Sequence, residues 1–207
     1  MKKIDRMRLE DIIKGSTASI VKGDPLCEIA SICSDSRKAV PGSLFIAVKG
    51  CAVDGHDFID SALEKGASAV ISADRQALAV CAANFYGNPS RKLTLVGITG
   101  TNGKTTTVTL LYRMFKALGH RCGLLSTIAN YVDDERSEAV NTTSDPITIN
   151  SLMAKMVEKG CSHCFMEVSS IGMEQHRCDF LDFNVGIFSN LTHDHLDYHG
   201  TFAEYLR

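Results

Sequence analysis

The sequence lacks the features that would place the protein in a membrane or on a nucleic acid. No apolar run approaches the ~20 residues that a transmembrane helix needs. The N-terminal stretch MKKIDRMRLEDIIKG is charged and has no apolar core of the kind that a secretory signal requires. A net charge of −2 over 207 residues gives no basic surface for nucleic acid or anionic lipid. We therefore expect a cytoplasmic protein, a monomer, with no nucleic-acid or membrane partner.

The sequence also lacks a second C-x-x-C pair. Eight cysteines are present, most of them inside apolar strand-like or helix-like runs, where a reduced cysteine acts as a small hydrophobic side chain. Cys161 and Cys164 have the spacing of zinc ligands, but they lead directly into the strand-like run 165–168. We therefore favour buried strand cysteines over a zinc site.

The most informative stretch is LTLVGITGTNGKTTTVTLLYRM, residues 93–114. An apolar run at 93–98 predicts a buried strand, and apolar positions from Val108 onward predict a helix. Between them lies a glycine-rich loop ending in Lys-Thr, the context in which backbone N–H groups, a lysine and a threonine hydroxyl hold phosphates and Mg²⁺. The general pattern G-x-x-x-x-G-K-[ST] would place a glycine at Ile98. We nevertheless favour a phosphate loop over an ordinary glycine turn.

Strand-like and helix-like segments alternate along the whole chain, which predicts an α/β fold. A breaker cluster at 86–90 predicts a boundary between a small N-terminal α/β domain, 1–90, and a partial P-loop-type domain with a mostly parallel sheet, 91–207. Further predictions are a strand over 29–33, a helix over 56–65, strands at 128–132 and 138–140 around a hairpin turn, and a helix after Asp145-Pro146. A Thr201/Glu204 capping box would begin a last helix.

Polar residues follow several of the predicted strands, where ligands gather in parallel sheets. Glu167 ends one strand, and beside a phosphate loop we interpret it as a Mg²⁺ ligand rather than a solvated carboxylate. A second cluster, rich in histidine, consists of His193, Asp194, His195, Asp197 and His199. These residue types could bind a transition metal, but we do not favour such a site beside a phosphate loop. For Asp35 and Arg37, a surface ion pair and diphosphate recognition are equally supported.

With these residues in this order, the chain resembles the Mur ligase family, and within it the MurE branch. The matching stretches run in the family's order over nearly the whole chain: SDSRKAVPGSLFIAVKG, DGHDFIDSALEKGA, FYGNPSRKLTLVGITGTNGKTTT, NTTSDP, MEVSS and FSNLTHDHLDYHGT. The loop GTNGKTT is shared with folate-polyglutamate enzymes. We favour such an enzyme least, because SDSR and NTT-x-DP are more typical of the MurE branch. The resemblance implies an ATP-dependent ligase of peptidoglycan precursor synthesis.

The resemblance implies a role for each matched residue. ATP would be bound by Gly100, Thr101, Asn102, Gly103, Lys104, Thr105 and Thr106. Lys104 would polarise the γ-phosphate. The partner UDP-N-acetylmuramoyl-L-alanyl-D-glutamate would be held by Ser36, Cys51, Ala52, Val53, Asn141, Thr142, Thr143, Ser169, Gln175 and Arg177. Mg²⁺ would be held by Thr105, Glu167 and His195. The implied reaction forms an acyl phosphate, from which the amino group of lysine or diaminopimelate displaces phosphate.

Three departures from the family's pattern affect what we expect. Ile171 stands where the family usually has a histidine, and the stretch 72–76 is short, so the first domain would lack a strand. The chain also stops before a carbamylated lysine and the C-terminal amino-acid-binding domain. We therefore expect a truncated chain, inactive by itself. The alternative is a non-catalytic nucleotide or UDP-sugar-peptide binding module derived from such a ligase.

Overall fold

The structure is a computed structural model that describes residues 6–50, 53–192, 198 and 200–206. The chain divides into two compact units, Met1–Gly87 and Asn88–Arg207. The division falls inside the breaker cluster 86–90, where Gly87 and Asn88 both adopt positive φ angles. Both units combine helices with sheets, so the predicted α/β class is confirmed. None of the described helices is long and apolar enough to cross a membrane.

In the described residues of the first unit, two sheets form. The elements are β1 (Met7–Arg8), α1 (Leu9–Ile13), β2 (Ser19–Lys22), β3 (Glu28–Ile29), β4 (Ser31–Cys33), β5 (Ser43–Val48), α2 (Ile59–Glu64), β6 (Ala69–Ala73) and α3 (Arg75–Phe85). The larger sheet has four strands in the order β2-β6-β5-β4, with β4, β5 and β6 parallel and β2 antiparallel to β6. Strands β1 and β3 form a small antiparallel ladder.

Two predicted elements of the first unit have different bounds in the structure. The predicted strand 29–33 is divided at Ala30, whose N–H donates to the Gly42 carbonyl at 2.8 Å, so that β3 and β4 belong to different sheets. The predicted helix 56–65 begins as a 3₁₀ turn, Gly55–Phe58, before α2. The cause is Asp54, whose carboxylate accepts from the His56 N–H and starts this tighter turn.

The described residues of the second unit form a six-stranded sheet with helices around it. The elements are β7 (Thr94–Thr99), α4 (Lys104–Ala117), β8 (Cys122–Leu125), β9 (Ala129–Val132), β10 (Glu135–Glu138), α5 (Pro146–Glu158), β11 (His163–Glu167), α6 (Ser170–Glu174), β12 (Val185–Phe188) and α7 (Phe202–Leu206). The strand order is β10-β9-β8-β11-β7-β12. Strands β8, β11, β7 and β12 are parallel, and β9 and β10 continue the sheet as an antiparallel hairpin.

Side chains alternate along the strands and build a separate core on each face of this sheet. Leu95 and Cys164 pack on the face that α5 covers, whereas Val96 and Phe165 pack on the face that α4 covers. This arrangement makes three layers, helix on sheet on helix, and places the ends of the parallel strands beside the start of α4. The predicted burial of Cys161 and Cys164 is confirmed.

Local signals account for the other boundaries of the second unit. Asp145 caps α5 by accepting from the Thr148 N–H, with Pro146 at the first helical position as predicted. The predicted hairpin turn is confirmed at Asp133, which has a φ of +54°. Its second strand was predicted at 138–140, but β10 covers Glu135–Glu138, because pairing with β9 begins immediately after the turn, at Glu135 opposite Val132.

Candidate functional site

The glycine-rich loop joins β7 directly to α4. Gly100 and Gly103 adopt φ angles of +123° and +87°, values that favour glycine. Gly103 precedes the first residue of α4 and offers no side-chain oxygen to the first-turn N–H groups. These groups and the helix dipole create a favourable position for an anion. Thr106 is exposed on this same first turn.

Lys104 is folded back over the loop that precedes it. Its Nζ donates to the carbonyl oxygens of Gly100 at 2.6 Å and Thr101 at 3.0 Å. Thr101 is 7% exposed, and its hydroxyl lies 2.9 Å from the Tyr205 hydroxyl of α7. The loop therefore holds its own ammonium group at the start of α4.

Glu167, at the end of β11, is a buried carboxylate beside this loop. It is only 1% exposed, and its Oε2 accepts a hydrogen bond from Thr105 Oγ1 at 2.9 Å. Thr127 donates to Oε1 through its N–H at 2.8 Å and to Oε2 through its hydroxyl at 3.2 Å. Within the described part of the chain no ion pair involves Glu167. A buried carboxylate with only neutral donors is suited to a divalent cation.

Thr127 was not predicted as a site residue. It lies two residues beyond β8, and its hydroxyl also reaches Thr142 Oγ1 at 3.1 Å. The rule that polar residues gather after parallel strands could have found it, because Thr127 follows β8. Thr127 thus connects Glu167 to the polar run 141–144.

The polar run and α6 form a second group of contacts next to Glu167. Thr143 is 1% exposed, donates to the Glu167 carbonyl at 3.0 Å and accepts from the Ser169 N–H at 2.9 Å. Arg177 donates to the Thr143 carbonyl at 2.7 Å and to Gln175 Oε1 at 2.6 Å. The structure therefore brings Thr142, Thr143, Ser169, Gln175 and Arg177 into one connected network; Asn141 is exposed nearby in sequence.

In the first unit, Asp35 and Arg37 form a bidentate ion pair. The guanidinium donates to both carboxylate oxygens at 2.8 to 3.2 Å, and this pair lowers the pKa of Asp35 to about 2. The Arg37 side chain remains 84% exposed. The neighbouring Ser36 is buried and its carbonyl accepts from Lys65 Nζ at 3.3 Å, while Val53 is 56% exposed.

Some predicted site residues lie outside the described residues. They are Cys51, Ala52, His193, Asp194, His195, Asp197 and His199. In the part of the chain that the structure describes, no three or more His, Cys, Asp or Glu side chains are grouped to hold a metal. Position 171 lies in α6, where Ile171 is half-buried.

Two family models match the chain, and together they cover most of it. The model described as "Mur ligase middle domain" matches residues 98–207, and the model described as "Mur ligase family, catalytic domain" matches residues 28–103. The chain belongs to the Mur ligase family. The family resemblance drawn from the sequence is therefore confirmed.

Similar proteins point in the same direction. A UDP-N-acetylmuramoyl-L-alanyl-D-glutamate–2,6-diaminopimelate ligase of Parabacteroides distasonis is 50% identical over 97% of this chain and 45% of that protein. A solved structure of a ligase with this same name has a TM-score of 0.78 at 27% identity, covering 97% of this chain and 43% of that one. This Mur ligase chain spans about half the length of the curated relatives it matches.

A second solved structure is useful because it contains a nucleotide. The MurF ligase of Thermotoga maritima, solved in complex with ADP, has a TM-score of 0.59 at 26% identity, covering 85% of this chain and 41% of that one. The resemblance therefore extends to a Mur ligase whose structure contains a nucleoside diphosphate.

Proposed function

We propose that the protein carrying this chain is an ATP-dependent amide ligase of peptidoglycan precursor synthesis. It would add a diamino acid to UDP-N-acetylmuramoyl-L-alanyl-D-glutamate. The curated relatives are named as ligases that use 2,6-diaminopimelate, which supports a ligase over a binding module and diaminopimelate over lysine. We further propose a cytoplasmic monomer in which the first unit binds the UDP part and the second unit binds ATP.

The observation that carries the proposal is the contact between Thr105 and Glu167. It joins the first turn of α4 to the end of β11 through a 2.9 Å hydrogen bond. A phosphate loop and a buried carboxylate without a cationic partner in the described residues are thereby placed side by side. This pair supplies what phosphoryl transfer needs most, namely oriented positive groups around the phosphates and a carboxylate for their counter-cation.

For nucleotide binding, residues 100–106 would surround the ATP phosphates, and the backbone N–H groups of the first turn of α4 would donate to them. Lys104 would leave the Gly100 and Thr101 carbonyls and donate to phosphate oxygens instead. Thr105 and Glu167, with His195, are the proposed Mg²⁺ ligands. A bound Mg²⁺ would neutralise the charge that develops on the transferring phosphoryl group. The role of Glu167 in this set is supported by its burial among neutral hydrogen-bond donors.

For the second substrate, the network around Thr143 offers hydroxyl, amide and guanidinium groups for a peptide carboxylate. Arg177 is the cationic member of this network and already donates to two neutral oxygens, on Thr143 and Gln175. A charged carboxylate is a stronger acceptor than either oxygen. We propose that the D-glutamate carboxylate accepts the γ-phosphoryl group near this network. The incoming amino group would then displace phosphate from the acyl phosphate.

The test is an assay of the full protein that carries this chain. The purified protein receives ATP, Mg²⁺, UDP-N-acetylmuramoyl-L-alanyl-D-glutamate and either diaminopimelate or lysine, and phosphate release is measured. We expect release that requires both the nucleotide sugar and the diamino acid, and that is faster with diaminopimelate. Lys104→Ala should remove it, whereas replacing the exposed Lys92, twelve residues before the first residue of α4, by alanine (Lys92→Ala) should not. Phosphate release at the same rate without the nucleotide sugar would contradict the proposal.

A further inference from the structure

The loop's outer half is held by the segment that follows β12. Asn190 Oδ1 accepts from the Asn102 N–H at 3.0 Å, and Asn190 Nδ2 donates to the Asn102 carbonyl at 2.9 Å. The Asn190 carbonyl accepts from the Thr101 N–H at 2.9 Å. One asparagine thus satisfies three backbone groups of the phosphate loop, and its side-chain amide pairs with both the N–H and the C=O of Asn102, as a residue of a neighbouring strand would.

The contact is close as well as hydrogen-bonded. A Cβ atom at Gly100 would lie 2.3 Å from Ser189 Oγ and 2.7 Å from the Asn190 carbonyl oxygen. The next residues continue the pairing: Thr192 N–H donates to Thr101 Oγ1 at 2.9 Å, and Asn102 Nδ2 donates to Thr192 Oγ1 at 3.2 Å. The segment 189–192 therefore packs closely against the loop backbone and is hydrogen-bonded to it.

The backbone groups of the loop have two different partners, Asn190 and Lys104. The N–H groups of Thr101 and Asn102 are occupied by Asn190, so they are not available to phosphate in this arrangement. The carbonyls of Gly100 and Thr101 point instead to Lys104 Nζ, at 2.6 and 3.0 Å. The segment after β12 consequently fixes the peptide groups on which the ammonium rests.

We propose that Asn190 is a positioning residue that holds the backbone of the phosphate loop in the arrangement that binds a nucleoside polyphosphate. The inference rests on the proposed function, because it assumes that the loop binds phosphate. Asn190 is solvent-accessible, so its effect comes from the paired geometry of its amide and not from burial. Two lost hydrogen bonds correspond to a roughly 5- to 50-fold weaker nucleotide affinity.

Asn190→Asp tests this geometry with almost no change of shape. An ionised aspartate has no donor, so one oxygen would face the Asn102 carbonyl; a protonated aspartate regains an O–H donor. On the full protein that carries this chain, we expect ADP affinity to fall about 5- to 50-fold relative to the wild type at pH 8. The ratio should recover partly at pH 4, close to the ordinary aspartate pKa of about 3.9. Asn190→Ala should weaken ADP binding by a ratio that does not depend on pH.

Asn184→Asp is the matched control. Asn184 Oδ1 accepts from the Leu95 N–H at 2.7 Å at the other end of β7, and an aspartate keeps this acceptor. We expect its ADP affinity to equal that of the wild type at both pH values. A merely structural role for Asn190 predicts a lower melting temperature with no recovery of the affinity ratio at pH 4, and that result would overturn the inference. Equal affinity of wild type, Asn190→Asp and Asn190→Ala at pH 8 would also overturn it. If the wild type itself binds no ADP, the proposed function fails and the inference fails with it.

Discussion

The two units satisfy their polar groups in different ways. In the first unit, the carboxylates of Asp35 and Asp54 accept from residues two positions along the chain, Arg37 and His56. In the second unit, Glu167 accepts from Thr105 and Thr127, which are 62 and 40 positions away. Asp74 of the first unit also accepts from a distant residue, Thr17 Oγ1, 57 positions away at 3.0 Å, but this carboxylate is exposed, whereas Glu167 is buried.

This difference matters for function because local pairs form wherever the chain makes a suitable turn, whereas distant pairs exist only in the folded sheet. A local ion pair on the surface is screened by water and contributes little. A buried carboxylate held by distant strands depends on several elements at once, so a change there disturbs both the site and the fold. We expect substitutions to separate the two kinds of pair clearly.

The largest effect is expected at Glu167. In the full protein that carries this chain, Glu167→Gln should lower phosphate release about 10²- to 10³-fold, because the amide has no charge for a cation and brings an N–H₂ group toward Thr105 or Thr127. The exposed Glu158→Gln on α5 is the control and should leave the rate unchanged. Comparable rates for the two variants would show that the distant carboxylate is dispensable.

A smaller effect is expected at the loop glycines. Gly100→Ala combines a positive φ with a Cβ contact of 2.3 Å to Ser189 Oγ, whereas Gly103→Ala has a positive φ and nothing within 4 Å. We expect Gly103→Ala to cost about 1–2 kcal/mol in unfolding free energy, the price of the left-handed backbone alone. Gly100→Ala should cost about 1–3 kcal/mol more, because of overpacking. Urea denaturation measures both; equal losses would mean that the 189–192 segment does not pack on the loop.

The smallest effect separates two acidic residues by their surroundings. Lys116 and then Arg121 hold the pKa of Asp133 below its usual range, and the Asp133 side chain is 11% exposed. Asp133→Asn, which tolerates the φ of +54°, should lower the unfolding free energy by about 1–3 kcal/mol at pH 7. Asp35→Asn should cost less than about 1 kcal/mol, because its partner Arg37 is exposed.

The pH dependence checks the cause of this difference. A carboxyl whose folded pKa is depressed stabilises the protein above its unfolded pKa of about 3.9, and this contribution is lost as the pH falls through the folded value. The stability gap between wild type and Asp133→Asn should therefore narrow below about pH 4. Urea denaturation at pH 7 and pH 3 measures it. A gap of constant size would indicate lost packing instead of lost charge.

Much of the fold followed from local patterns. The strand 93–98, the helix begun by Asp145 and Pro146, and the hairpin turn at Asp133 were predictable because each depends on neighbouring residues. The division of 29–33 between two sheets was not, since it is caused by Gly42, which accepts from Ala30 across the fold. In the same way, Glu167 was predicted as a site residue, but its partner Thr127 and the pairing of Asn190 with Asn102 depend on the order of the strands.

Lys104 rests on two carbonyl oxygens of its own loop, and this has a consequence for what the loop can retain. An arriving anion competes with acceptors that are already in place, so it gains only the difference between a charged and a neutral partner. That difference grows with the negative charge brought close to the ammonium. If the loop binds phosphate as proposed, a monovalent anion would therefore be held less well than a polyphosphate chain.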